Sequence, residues 1–476
     1  MQARRSRRAV GSAACLVMLS SGLFGGEQAK GFQWPAFKDR RFEEDWSVLA
    51  KRKPDDPTDV FDPIKYVPLS PDGFIWASFG GQVRERYEHW NNFAFRKAAP
   101  RDDDYLQSRF RLHGDFHLGD RARVFIELKS AHTTDRDLPQ GRRTLDTDEC
   151  DIQNAFFEFT PYRDTATSVA LRLGRQELAF GKERLVSTLD WANTRRTFDA
   201  ASAILKHGPW TATAFWGRLV VVDKYHANDD NDDMDLYGVY LTRALAGGNL
   251  ALDAYWLGLK QEGVTFNGTS GTERRQTVGA RLGGKIGNTG LDFDVETACQ
   301  RGTIGGRDIH ALMFASQLGY TWAQAPATPR VFVGFDYASG DDRKGGDVKT
   351  FNQLFPLGHA YLGYIDIIGR QNIVDCNAGL ELKPHKKLFV ALHGHCFRLA
   401  DNDDALYNAG GQVVRAGGTG TSNRVGSEID LLARYNLDRH QAIIGGYSHF
   451  FPGTFVDQSG SAKDIDFAYL IWLFTF

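Results

Sequence analysis

Long apolar runs are almost absent from this 476-residue chain. Beyond the stretch from Ala13 to Phe24, charges, glycines and amides interrupt every one, whereas a membrane-spanning helix needs ~20 apolar residues. A helical inner-membrane protein is therefore excluded. Cysteine is scarce too: Cys150, Cys299, Cys376 and Cys396 lie far apart, with no Cys-x-x-Cys pair. Neither a disulfide framework nor a thiolate zinc centre is indicated. Positive charge is not in excess, the formal net charge being -2, so nucleic acid is not an expected partner.

The amino terminus carries Arg4, Arg5, Arg7 and Arg8, then the short apolar run to Phe24, then small residues. That order is the plan of a secretory signal peptide, expected over residues 1–26, and the run is too short for an anchor. Cys15 is set aside as a lipoprotein site, because most of the apolar run follows it. Loss of these arginines leaves the exported chain more acidic.

What the sequence does have is glycine (50 residues against 15 prolines), 12% aromatics and a mean hydropathy of -0.38. A chain both polar and aromatic fits strands with one face to water and one to lipid. In DYLQSRFRLHGDFHL, Tyr105, Gln107, Arg109, Arg111, His113, Asp115 and His117 fall on one face of a strand, and Leu106, Phe110, Leu112, Phe116 and Leu118 on the other. The same parity opposes Arg281 and Lys285 to Val278, Ala280, Leu282 and Ile286, and Asp292, Asp294, Glu296 and Gln300 to Leu291, Phe293, Val295 and Cys299. Before Phe79 no period holds. Residues 27–78, with WPAFKDRRFEEDW and several prolines, read as an extended periplasmic segment leading to a single domain over 79–476.

Alternation also occurs in soluble sandwiches, so the connections decide. Short turns, such as Gly119 to Arg121, His207-Gly208, Pro384 to Lys387 and Leu437 to Arg439, alternate with long polar segments, such as Thr133 to Asp148, Ser339 to Arg370 and Asp401 to Val425. Short on one side and long on the other is the plan of an outer-membrane barrel. The expected fold is all-β, a transmembrane antiparallel up-and-down barrel of about 18 strands, wide enough to leave an aqueous lumen. It is expected in the outer membrane of a Gram-negative bacterium as a monomer, among lipid and lipopolysaccharide, with both termini periplasmic. The last strand, DIDFAYLIWLFTF, ends in Phe476 and should close against Gln82 to Glu88; its terminal aromatic resembles the signal read by the barrel assembly machinery.

Inward faces carry many cations: Arg84, Arg86, Arg109, Arg111, Lys129, Arg172 and, later, Arg281. Two readings stand side by side. Such charges in a narrow lumen favour anions, or they form ion-pair ladders with inward acids such as Glu88, Asp115, Glu127, Glu296 and Glu428. The loop LGRQELAFGKERLVSTLDWANTRRTFDA is dense in charge and aromatics. It is expected to fold inward as a constriction, with Arg175, Arg184, Arg195 and Arg196 set against Glu177 and Asp190, and Trp191 packed beside them. Acidic loop tracts, notably Asp229, Asp230, Asp232 and Asp233, are oxygen-rich enough for Ca²⁺ but lack the EF-hand spacing; no other cofactor is expected. Ser448, His449, His393 and His395 do not make a hydrolase, because neighbours on a strand face opposite ways. Cys376 and Cys396 should sit opposite one another on the lipid face as unpaired thiols.

The segment from Leu173 to Ala200 resembles the alginate export family of outer-membrane proteins. So do ASGDDRKGGDVKTFNQLFPLGHAYLGYIDIIGRQNI and VGSEIDLLARYNLDRHQAIIGGYSHFFPG, with the opening GGQVRERYEHW and the closing DFAYL. The resemblance covers about Gly80 to Phe476. It implies an eighteen-stranded barrel with an electropositive pore that passes an anionic exopolysaccharide such as alginate, its cationic path mapping onto Arg84, Arg86, Arg109, Arg111, Arg175 and Arg184. One departure from the family is the short late turn Asn436 to His440, where a gated member has a long periplasmic plug. A porin for uptake of small anionic solutes is the alternative.

Overall fold

The computed structural model describes residues 32–266, 268–342, 345–418 and 422–476, so the signal peptide expected over 1–26 lies outside the described residues. Eighteen strands form one closed antiparallel barrel. The first six are β1 (Ile75–Asn91), β2 (Asp103–Leu118), β3 (Ala122–Thr133), β4 (Asp148–Arg163), β5 (Thr167–Gln176) and β6 (Phe198–His207). Then come β7 (Trp210–Val221), β8 (Met234–Leu245), β9 (Leu250–Phe266), β10 (Thr269–Lys285), β11 (Leu291–Ile304) and β12 (Arg307–Thr321). The last six are β13 (Arg330–Ala338), β14 (Ile373–His385), β15 (Leu388–Leu399), β16 (Arg424–Asn436), β17 (Gln441–Pro452) and β18 (Ile465–Thr475). The barrel thus begins at Ile75, a little before the expected Phe79.

Closure comes from β18 pairing with β1, in a register that runs from Gln82 opposite Thr475 to Asn91 opposite Asp466. Phe476 extends it, exchanging backbone hydrogen bonds with Gly81 at 2.9 and 3.0 Å. Every strand is hydrogen-bonded on both sides, which is what a sheet in lipid requires. On β2 the outward Phe110 and Leu112 are exposed while Arg109, Arg111 and His113 are buried inside, matching the parity read from the sequence. Cys376 and Cys396 are register partners on the outer face, both free.

The connections sort into a turn end, which also holds Ile75 and Phe476, and a loop end. The loop end is not an open mouth. Residues 177–197 and, of the long loop, 339–342 and 345–372 fold into the lumen and meet in a parallel bridge between Val186 and Phe355. With wall residues they build an apolar core that includes Leu185, Phe198, Phe351, Phe355, Ile368 and Phe450. The expected aqueous lumen is therefore largely packed at this end, because both loops carry apolar side chains that find one another there.

The turn end is occupied as well. Residues 32–66, expected as a lead-in, are folded into the barrel mouth. Phe42 packs edge-on against Phe125 and Phe156 of the inner wall. Phe61 stacks on Phe476, while Asp59 receives hydrogen bonds from Arg439 and His440. Glycine makes this passage possible: a Cβ on Gly81 would lie 2.6 Å from the Arg111 carbonyl and 2.8 Å from the Phe476 ring. Arg41 seals the same junction, donating to the main-chain oxygens of Gly81 and Phe476, both at 2.9 Å, and to Glu44 at 2.6 Å.

Candidate functional site

Strand parity alone puts Arg84 and Arg86 of β1, Arg109 and Arg111 of β2 and Lys129 of β3 on one patch of inner wall. What covers that patch is the loop after β5. Arg84 donates to the carbonyls of Asp190, Trp191 and Ala192 at 2.7 to 3.3 Å and to the Asn193 side chain at 3.3 Å. Arg86 donates to the Trp191 carbonyl at 2.6 Å, pairs with Glu88 at 2.8 Å and bonds Gln107. Its guanidinium also lies 4.2 Å from the centre of the Trp191 ring, a cation–π geometry. The other face of Trp191 stacks on His359 at 3.6 Å, so this tryptophan ties the two inward loops together.

At the centre, the Asp190 carboxylate accepts from Arg109 at 2.8 Å and also from Arg195. Arg195 is forked: its Nε donates to Glu177 at 2.6 Å, and its two terminal nitrogens donate to the two oxygens of Asp39 at 2.7 and 3.0 Å. Thr188 adds a hydrogen bond to Asp39 at 3.2 Å. Arg111 pairs with Glu127 and reaches the Asp39 carbonyl at 3.5 Å. Burial by itself would raise the Asp39 pKa; the Arg195 guanidinium outweighs it and holds the carboxyl below its usual value. Glu183 of the same loop goes the other way, pushed up to about 7 by burial and by the Asp39 carboxylate.

The remaining candidates are placed as follows. Lys129 bonds Asp148 at 2.9 Å and the Thr194 carbonyl at 2.8 Å. Arg172 pairs with Glu158 at 2.6 Å, and Arg175 with Asp199 and Asp151. Arg184 crosses the lumen to Asp294 and Glu296 at 2.7 and 2.8 Å, where Arg281 also bridges Asp294 to Asp253. Arg196 donates to the Phe355 carbonyl and the Ser187 hydroxyl. The wall thus holds ion-pair ladders and, at Arg84, a guanidinium whose partners are neutral oxygens. Of the acidic tract, Asp230 and Asp232 pair with Arg218, which takes up charge a calcium ion would need.

Beside the Trp191–His359 stack lies a cavity of about 30 Å³ bordered by Arg184, Phe332, Tyr364 and His393. It admits water but no sugar ring. Ser448 donates to Asp430 at 2.5 Å, while His449 bonds Asp466; among the described residues no imidazole stands against Ser448 as a base. Sequence reasoning missed Asp39, Arg41 and Phe42, and also His359 in the long loop. The pairing of aromatics with both charge signs in DRRFEEDW was the available signal for the first group.

A search of curated protein sequences found no match. Among solved structures the fold is similar to proteins of Pseudomonas aeruginosa, one of them described as an outer membrane protein. OccK1 (OpdK) superposes with a TM-score of 0.57 at 11% identity, over 84% of this chain and 98% of that one. OccK2 (OpdF), solved in complex with glucuronate, gives 0.53 at 12%, over 88% and 99%. OccK11 (OpdR) gives 0.51 at 14%, over 84% and 95%. These likenesses establish the fold, that of an outer-membrane β-barrel. The family model for alginate export matches residues 75–467, and the chain belongs to that family.

Proposed function

We propose that this channel passes an acidic exopolysaccharide of the alginate type out of the cell, favouring anions, with its turn end and both termini in the periplasm. The observation that carries this reading is the arginine cluster around Asp190, where Arg84, Arg109 and Arg195 converge under a loop that narrows the lumen. Desolvated guanidiniums recognise carboxylates through paired, charge-assisted hydrogen bonds, and every residue of a polyuronate presents a carboxylate. The pore itself is passive and works with the gradient.

Planar-bilayer recordings test it. Chloride should permeate in preference to potassium, and oligouronates should block the current while neutral oligosaccharides of equal length do not. A cation preference, or equal block by both, overturns the reading.

A second reading, uptake of small carboxylates, draws on the narrowness of the cavity beside Trp191 and on the fold neighbours, one solved with glucuronate and one with vanillate. It uses the same arginines and predicts block by monomeric uronate as strong as by the oligomer.

A further inference from the structure

The segment folded into the turn end makes a contact that plain anchoring does not need. Phe42, edge-on against the stacked Phe125 and Phe156, and Arg41, on Gly81 and Phe476, already hold it to the wall. Asp39 goes further and delivers a carboxylate to Arg195, in the two-bond fork by which guanidinium recognises carboxylate.

The charge balance shows what that carboxylate does. In the hydrogen-bonded cluster, the guanidiniums of Arg84, Arg109, Arg111 and Arg195 face the carboxylates of Asp190, Glu177, Glu127 and Asp39. Three of these carboxylates belong to the barrel and its loop. The fourth belongs to the removable segment. With Asp39 in place the four charges of each sign balance; with it withdrawn Arg195 keeps Glu177 and Asp190, but its two-bond fork is open and the cluster carries one uncompensated positive charge, which favours an incoming carboxylate. The Arg40 beside it leaves together with its own partner, Glu43, at 2.5 Å.

We propose that residues 32–66 form an autoinhibitory plug whose Asp39 carboxylate stands in for a substrate carboxylate at Arg195, so that an acidic chain entering from the turn end competes with Asp39 and releases the plug. This rests on the reading of the arginine cluster as the anion site. It adds the regulation of that site and the identity of its resident competitor. No covalent step is involved: one ion pair is exchanged for another, and the plug swings out on the strand that begins at Ile75.

Trypsin provides the test, because Arg41 is buried when the plug is docked and Lys51 is exposed. On the full exported chain in lipid, initial cleavage after Arg41, relative to cleavage after Lys51, reports release. Asp39→Asn should raise it about tenfold or more, given the strength of a buried charge-assisted pair. Oligouronate should raise it in the wild type and not further in Asp39→Asn, and a neutral oligosaccharide should do neither. Phe42→Ala, which loosens the plug without touching Asp39, should raise the baseline and keep the uronate response. Barrel integrity is followed by heat-modifiable migration of each variant. Equal cleavage of wild type and Asp39→Asn, or acceleration by the neutral oligosaccharide, overturns the inference. If the plug responds as expected in a pore that prefers cations, the transport reading fails and the plug stands. If the pore prefers anions but Asp39→Asn changes nothing, the plug alone fails.

Discussion

A lysine with no hydrogen-bond partner among the described residues decides how tightly the turn end is sealed. Lys65 ends the short helix Asp62–Lys65 and is buried, its ammonium 4.7 Å from the Trp46 ring and 5.7 Å from Phe37. Arg41, Glu44, Asp59 and Arg439 surround it, and the His113 ring lies across Gly80. Burial, with Arg41 adding to it, pushes the Lys65 pKa down to about 7, against 10.5 when the segment is free. The sign follows: a docked lysine binds its proton more weakly than a free one, so docking is weakest and flat below about pH 7 and strengthens as pH rises towards 10.5. The docking equilibrium should gain up to about tenfold per pH unit in that window. Cleavage after Arg41, scaled to cleavage after Lys51, should fall accordingly as pH is raised, and Lys65→Met should be protected and independent of pH; a pH-dependent Lys65→Met would remove Lys65 from this role. The inward direction of Arg84, Arg109 and Arg111 was legible in the sequence because strand parity fixes it. The cross-strand partner of Arg111, Glu127, was legible for the same reason, whereas those of Arg84 and Arg109 were not, since carbonyls of Asp190 to Ala192 reach them only through the path of a loop that has no period to read.

The strands, their turns and their closure follow from alternation with a period of two, and each short turn expected from glycine, proline or charge is found at the turn end. The elements that fill the lumen are of another kind. Residues 32–66, 177–197, 339–342 and 345–372 are irregular apart from a few single helical turns and are held by side chains of the wall, and neither propensity nor periodicity encodes such contacts. Asn193 is the main fastener of the constriction loop. Its amide donates to the carbonyls of Ser108, His132 and Asp146 at 3.0 to 3.2 Å, just where β2, β3 and β4 end their pairing, while its oxygen accepts from Arg84. Asn193→Ala removes these bonds and leaves buried carbonyls unpaired, a cost of about 1–3 kcal/mol. The strand ladders are untouched, so the barrel should unfold at nearly the wild-type temperature. Single-channel conductance should rise, because the loop leaves the lumen; unchanged conductance would show that the loop is held elsewhere.

Across the whole lumen the two sides differ in sign. The side formed by β1 to β5 is rich in arginine, whereas β11 to β16 present Asp292, Asp294, Glu296, Asp336, Asp375, Glu381, Glu428 and Asp430 with few cations of their own. Arg184 and Arg370 lean across from the loops to Asp294 and Asp336 and meet part of this demand. An ion in transit therefore feels a field directed across the pore, and net selectivity is the difference between two opposed walls rather than the property of one cluster. Arg330 and Glu381 test this, because they lie in the middle strands of the acidic side, near the turn end, and pair at 3.0 Å, with Arg330 also making two hydrogen bonds to Asp292. In Glu381→Gln, Arg330 keeps Asp292, the wall stays folded, and the chloride-to-potassium permeability ratio should rise about twofold or more at 0.1 M salt, where the Debye length is about 10 Å. Arg330→Gln strips a cation from the same place and should lower the ratio. Both shifts should shrink at 1 M salt, where screening acts within about 3 Å. Shifts of the same sign in the two variants, or shifts indifferent to salt, would mean that local blockage and not the field of the opposed walls governs permeation.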